Sequence, residues 1–272
     1  MKPARFEFVR ARSVDEACRL LAEADGEARV IAGAQSLGPM LNLRLARPQL
    51  LVDITGIAEL ARIEDAGASV TLGACMTTAN IEDGRVPGRG FETLAPIASG
   101  IAYRAVRNRG TIGGSLCHAD PAADWVCVVC VLGGECLVAG PNGKRWLPAN
   151  ALMTGAFTTA LAPAELLEAI RLPRPSPRAR LGYFKLCRRA GEFALAMSAV
   201  MNDPQRGKLG MVIGATNGRP IVIEDAAGLL RGDQTLDEAR AMRMLEHHGI
   251  TDPVIQRQQL AAMTRACAQA MP

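Results

Sequence analysis

Two glycine-bearing turns, about 80 residues apart, constrain this chain more than any other feature in it. The first, Ala32-Gly33-Ala34-Gln35-Ser36-Leu37-Gly38, follows a short strand-like run (Arg29-Val-Ile-Ala) and leads into a helical segment. Small residues there let consecutive main-chain amides turn toward one point, and the N-terminus of the following helix adds a positive dipole, so the pair can hold a phosphate. Alone, such a segment is more often an ordinary turn between strand and helix that binds nothing. It is not a Walker loop, because no Gly-Lys-Ser/Thr follows, and it is not GxGxxG, which removes a Rossmann assignment. The second turn is Arg109-Gly110-Thr111-Ile112-Gly113-Gly114-Ser115. Gly113-Gly114 permits a backbone approach that any Cβ would block, and Thr111 and Ser115 add hydroxyls beside the amides. Asp124, nine residues past Ser115, is a carboxylate placed to accept from a ribose or an adenine. Two phosphate-type loops in one domain fit a diphosphate gripped from both sides.

The segments around these turns read as mixed α and β structure. Phe6 and Phe8 alternate with polar residues as in a half-buried strand. Ser13-Val-Asp-Glu16 is a capping box, and Val14, Ala17, Leu20 and Leu21 give the helix it opens one buried face. Residues 50–54 form a further strand, so the first 55 residues make a small α/β unit. Next come two short strands over 61–75 around an Asp65-Ala-Gly67 turn, a helical stretch over 77–108 broken at 87–90, and an apolar helix at 122–132. Strands follow at 135–139 and 144–147, joined by Pro141-Asn-Gly143, and another at 166–172. Residues 173–180 carry three prolines, which lack amide donors and restrict their predecessors, and mark a linker. Beyond it the pattern predicts strands at 181–187, 194–201 and 208–215, then helices at 223–231, 235–247 and 252–270. Strands followed by helices indicate a C-terminal α+β domain.

Bulk properties exclude several classes. At 272 residues with 49% hydrophobic content the chain can bury a real core. A net charge of +4 and 4% aromatics disfavour nucleic acid. No apolar run approaches the roughly 18–20 residues of a membrane span, and the opening MKPARFEFVR has no signal-peptide core, so a cytoplasmic protein is expected. Eight cysteines, at 18, 75, 117, 127, 130, 136, 187 and 267, sit partly in apolar runs and read as free core thiols. Cys127-Val-Val-Cys130 has CxxC spacing, but with no second pair and no histidine in register it reads as packing rather than a metal or cluster site.

AGAQSLGPMLNLRLARPQLLVDI and RNRGTIGGSLCHADPAAD resemble the two signature stretches of the FAD-carrying medium subunit of molybdenum hydroxylases, the xanthine dehydrogenase and carbon monoxide dehydrogenase family. The likeness continues through ELLEAIRLP, GYFKLCRR and the C-terminal region. It implies an α+β fold: a two-part FAD-binding domain of the vanillyl-alcohol-oxidase-like (PCMH) type over 1–175, divided near residue 55, then a smaller α+β domain over 176–272 of the carbon monoxide dehydrogenase flavoprotein type. The resemblance assigns Ala32, Gly33, Ala34, Gln35 and Ser36, with Thr111, Ile112, Gly113, Gly114 and Ser115, to the FAD pyrophosphate. It places Ile101 and Ala102 along the cofactor, Asp124 on its polar portion, Leu167 against the flavin and Lys185 near the isoalloxazine. Many relatives carry Gly-Gly where this chain has Gly33-Ala34. If that position needs positive φ, Ala34 is strained by roughly 1 kcal/mol. Phe193 lies near where relatives can place an aromatic beside the ring, or is a core aromatic. His118 reads as structural.

The resemblance assigns no catalytic residue and no metal to this chain. It implies molybdopterin on a large partner subunit and [2Fe–2S] clusters on a small one, in a dimer of heterotrimers that passes electrons through FAD to NAD⁺, a quinone, oxygen or another external acceptor. Two arginine clusters, at 104, 107 and 109 and from 171 to 189, read as solvated faces or as docking surface. A stand-alone flavin oxidoreductase of the same fold is the main alternative. It needs an acid/base constellation over the flavin, and none is evident in the sequence. A scaffold that binds no flavin is the other.

Overall fold

The structure, a computed structural model, describes residues 2–271. The chain opens with β1 (Glu7–Arg10), α1 (Val14–Glu23), β2 (Ala28–Ile31), α2 (Leu37–Asn42) and β3 (Leu50–Asp53). β3 lies between β1 and β2, parallel to both, in a three-stranded sheet. The capping box forms with a variation: Ser13 Oγ accepts from the Glu16 amide at 3.1 Å, while the Glu16 carboxylate accepts from the Arg12 amide at 2.7 Å instead of that of Ser13. Val14, Ala17, Cys18 and Leu21 of α1 then pack on Val52, Ile54 and Ile57. Phe8 departs from expectation. It is 53% exposed on the edge strand β1, whereas its register partner Leu51 on the central β3 is buried.

A second unit follows, with β4 (Ile63–Asp65), β5 (Ser69–Gly73), α3 (Thr78–Glu82), α4 (Leu94–Ser99), α5 (Arg104–Arg107), α6 (Ile112–His118), α7 (Asp124–Val131), β6 (Glu135–Gly140), β7 (Gly143–Pro148), α8 (Ala149–Leu152), β8 (Met153–Gly155), β9 (Thr158–Thr159) and β10 (Leu166–Pro173). Five of its strands form an antiparallel sheet in the order β4-β5-β10-β6-β7. The helical stretch expected over 77–108 is three short helices, not one interrupted helix. Gly84 and Asp83 end α3, and Arg107 fixes the turn between α4 and α5. Every residue of α7 is buried, which explains its unbroken apolar sequence.

The remaining elements are β11 (Arg180–Leu186), β12 (Ala196–Asp203), β13 (Lys208–Gly214), β14 (Ile221–Ile223), α9 (Glu238–His247) and α10 (Pro253–Ala270). The four strands pair antiparallel in chain order. Strand alternation divides their side chains between two cores. Met197, Ala199, Met201 and Val212 join α7 and the second unit, whereas Val200, Met211 and Ile213 join α9 and α10. β11 meets α10 so closely that a Cβ on Gly182 would collide with the Ala266 carbonyl. A helix expected over 223–231 is absent: Ile221–Ile223 adds the fourth strand, and only a 3₁₀ turn at Ala227–Leu229 follows. Branched Ile and Val fit a pleated edge better than a helix. The architecture is the α+β class that the sequence implied. Among the described residues no helix is long and apolar enough to cross a membrane.

Candidate cofactor-binding site

The two glycine turns, on different units, meet. Gly33 packs on the backbone of Arg109 and Gly110 so tightly that a Cβ at position 33 would overlap the Arg109 carbonyl. Gln35 reaches over the same point, its Cγ 3.7 Å from where a Cβ on Gly110 would stand, while its side-chain amide donates to the Gly33 carbonyl at 2.8 Å. Ala34 adopts φ +60°, so the position does require the left-handed region. This chain therefore carries strain of about 1 kcal/mol where glycine would carry none.

The chemistry of the first turn is that of an anion cradle. The amides of Gly33, Ala34, Gln35 and Ser36 donate to no protein acceptor among the described residues, and Ser36 caps α2 without a side-chain bond. Four adjacent free donors next to a dipole positive end favour phosphate oxygens.

The second turn is built differently from the expectation of a ring of free amides. Ile112 donates to Met76 O at 2.9 Å and Gly113 to Ala74 O at 3.0 Å, so both amides are spent holding the turn against the five-stranded sheet. A Cβ on Gly113 would lie 2.5 Å from that of Ala74, which is why glycine stands there. Thr111 caps α6, its hydroxyl accepting from Gly114 N at 3.0 Å. What the turn can still offer is the Thr111 amide, the Ser115 hydroxyl and the open, side-chain-free surface of Gly114. The donor set and the two close approaches fit a dinucleotide diphosphate.

Ile101 and Ala102 are held from two directions. Ala102, at φ +47°, donates to Gly191 O at 3.1 Å from the β11–β12 connection. The Arg107 guanidinium donates to both carbonyls, at 2.9 and 2.8 Å, and grips Glu82 through two further bonds at 2.8 Å. Arg104 pairs with Glu82 and Asp83, each at 2.7 Å. Arg107 is thus the buried centre of an ion network whose outer member, Arg104, is still exposed to solvent. Of the cluster at 104, 107 and 109, Arg107 is removed from the solvated face, whereas Arg104 and Arg109 stay exposed. Arg107 hydrogen bonding first, then Arg104, holds the Glu82 carboxyl below its ordinary value against the opposing effect of burial.

Asp124 and Lys185 face each other between α7 and β11, 2.9 Å apart, with side chains 6% and 9% exposed. Lys185 also donates to Gly100 O at 2.9 Å, beside the Ile101–Ala102 turn. Tyr183 donates to Asp124 Oδ1 at 2.6 Å. Sequence reasoning missed Tyr183, although its i, i+2 relation to Lys185 on a strand was a usable signal. Glu82 was invisible to it, lying 25 residues from Arg107. Leu167 is buried in the main core at an irregularity of β10. Phe193 is 65% exposed and so is no core aromatic. His118 rests against Phe157, ring centres 5.2 Å apart, consistent with a structural role. All eight cysteines are free. Cys127 and Cys130 are buried, and among the described residues no cluster of His, Cys, Asp or Glu could hold a metal.

Residues 4–175 match the family of the FAD binding domain in molybdopterin dehydrogenase. Over 242 residues the chain is 32% identical to the nicotine 6-hydroxylase medium subunit of Paenarthrobacter nicotinovorans, covering 88% of this chain and 84% of that one. It is 34% identical over 232 residues to the carbon monoxide dehydrogenase medium chain of Hydrogenophaga pseudoflava, covering 85% and 81%. A solved structure of carbon monoxide dehydrogenase from that organism superimposes with a TM-score of 0.88 at 30% identity, over 99% of this chain and 98% of the other. Quinoline 2-oxidoreductase from Pseudomonas putida 86 gives 0.86 at 30% identity over the same shares. Fold, site chemistry and similarity converge: the chain belongs to the molybdopterin-dehydrogenase FAD-binding family and is the FAD-binding part of an oxidoreductase.

Proposed function

We propose that this chain is the electron-transfer subunit of a heterotrimeric molybdenum hydroxylase, with molybdopterin on a large partner and [2Fe–2S] clusters on a small one. Bound FAD supplies the exchange between single electrons from the clusters and the needs of an external acceptor. The protein's own contribution is position and electrostatics. In this reading Ala32, Gly33, Ala34, Gln35 and Ser36 grip the diphosphate through free amides, while Thr111, Ile112, Gly113, Gly114 and Ser115 form its opposite wall. Ile101 and Ala102 line the cofactor on a turn fixed by Arg107. Asp124 accepts from its polar portion, Leu167 supplies an apolar surface, and the Lys185 cation favours negative charge on the reduced ring.

The reading is carried by one observation: a row of unengaged amides at Gly33–Ser36 lies packed against the second turn through the Gly33–Arg109 contact. Medium-subunit relatives supply the expectation of partners, and eight free thiols agree with a reducing, cytoplasmic setting. Expression with untagged partner subunits, followed by flavin, iron and molybdenum analysis of the purified material, tests it. Flavin with this chain and both metals on co-purifying partners is expected. A protein that purifies alone and whose flavin is reduced directly by a small metabolite would instead be a stand-alone flavoenzyme.

A further inference from the structure

Asp124 is the first residue of α7, and two groups meet on one of its oxygens. Tyr183 Oη donates to Oδ1 at 2.6 Å and Lys185 Nζ lies 2.9 Å from the same atom. Oδ2 accepts from no protein donor among the described residues. Tyr183 and Lys185 stand two apart on β11 and therefore share a face. Lys185 divides its ammonium between Asp124 and the Gly100 carbonyl, which leads into the Ile101–Ala102 turn. Burial first, then the Asp124 carboxylate, pushes the Tyr183 phenol well above its usual range. The phenol is thus a neutral donor at every working pH.

A carboxylate with two donors on one oxygen gives each less of its charge than it would give either alone. We propose that Tyr183 is a positioning residue for the bound flavin: by donating to Asp124 Oδ1 it draws carboxylate charge away from Lys185. The ammonium is left more strongly positive toward the cofactor, and Oδ2 is left free to accept a hydrogen bond. Tyr183 thereby raises the reduction potential without touching the flavin. This rests on the FAD reading above.

Tyr183→Phe removes the hydroxyl and little else. In the FAD-loaded protein the midpoint potential is measured by reductive titration beside a reference dye, together with the FAD dissociation constant. FAD is expected to stay bound with affinity changed by less than about threefold, and the potential to move downward. In an Asp124→Asn background the same substitution is expected to move the potential no further, because the charge through which Tyr183 acts is gone. An unchanged or raised potential, an equal shift in both backgrounds, or loss of FAD from Tyr183→Phe overturns the proposal. Failure of the unmodified chain to take up FAD overturns the cofactor reading instead.

Discussion

Lys185 and Asp124 form an ion pair 2.9 Å long across the boundary between β11 and α7, with more than nine-tenths of both side chains hidden from solvent. Removing one member of such a pair leaves a desolvated charge, whereas removing both leaves two neutral side chains in a packed space. Lys185→Met is therefore expected to lower the unfolding free energy by about 3 kcal/mol, the low end for a broken buried pair because Tyr183 still serves Asp124. The double variant with Asp124→Asn recovers most of that loss. Urea denaturation of the apoprotein checks both. In the loaded protein Lys185→Met also lowers the flavin potential, since a cation that favours the reduced ring is gone. A double variant as unstable as the single one would show that the pair is not the source of the loss.

The first turn offers two substitutions with opposite expectations. Gly33→Ala drives a methyl group into the Arg109 carbonyl and must separate the two turns. Stability is expected to fall by about 1–3 kcal/mol, as overpacking does, and the purified protein to lose its visible flavin absorbance. Ala34→Gly removes left-handed strain and is expected to gain roughly 1 kcal/mol in the folded state, offset by a few tenths from the freer unfolded chain. FAD content should not drop. If Gly33→Ala retained full flavin, the contact between the turns would have no part in binding.

Why the turns were legible and their supports were not follows from distance along the chain. Glycine pairs, the Ser13 capping box and the unbroken apolar run of α7 are local signals, and local chemistry decided them. The 223–231 segment was misread because Ala226, Leu229 and Leu230 mimic a helical face, whereas β13 had an edge to be covered and Ile221-Val222-Ile223 covered it. The 77–108 region was read too long because its breaks depend on Arg107 reaching back to Glu82 and to the Ile101 and Ala102 carbonyls. In the site, Asp124, Lys185 and Gly33 were nameable from motifs. That Ile112 and Gly113 spend their amides on Met76 and Ala74, respectively, was not, because nothing near residues 111–115 announces that strand end.

The Arg107–Glu82 clamp carries a pH signature. Hydrogen bonding from Arg107 holds the Glu82 carboxyl below its ordinary 4.5 in the folded protein. A depressed folded value means that the carboxylate's stabilisation is fully present above 4.5 and is lost only as pH falls through the lower, folded value. Glu82→Gln never has that stabilisation. Its melting temperature is therefore expected to lie below that of the unmodified chain by a constant gap at neutral pH, and the gap to close in the acid range beneath 4.5. Flavin should be released earlier on acidification in the variant, because Arg107, which holds the Ile101–Ala102 turn, loses its charged partner. A gap unchanged down to the most acidic measurable point would mean that Glu82 does not titrate with the clamp.

The cysteines give a prediction that bears on the Cys127-Val-Val-Cys130 spacing. The thiolate is the reactive form, and burial works against it. Burial, followed by neighbouring negative groups, pushes Cys127 well above its ordinary range, and burial pushes Cys75, Cys117, Cys130 and Cys136 up to about 12. Cys18 and Cys267 reach about 11 for the same reason. At roughly pH 8, thiols at such values are ionised on the order of one part in a thousand or less. Cys187, half-buried in the segment after β11, is followed by the exposed Arg188 and Arg189 and is reachable from solvent. Iodoacetamide at that pH is expected to place at most one label on the folded protein, at Cys187, and eight once it is denatured, as counted by intact mass. Rapid labelling of Cys127 or Cys130 in the folded chain would contradict their place in the core, where the Cys127 thiol sits 3.6 Å from the Val212 carbonyl, and would reopen a redox role for the pair.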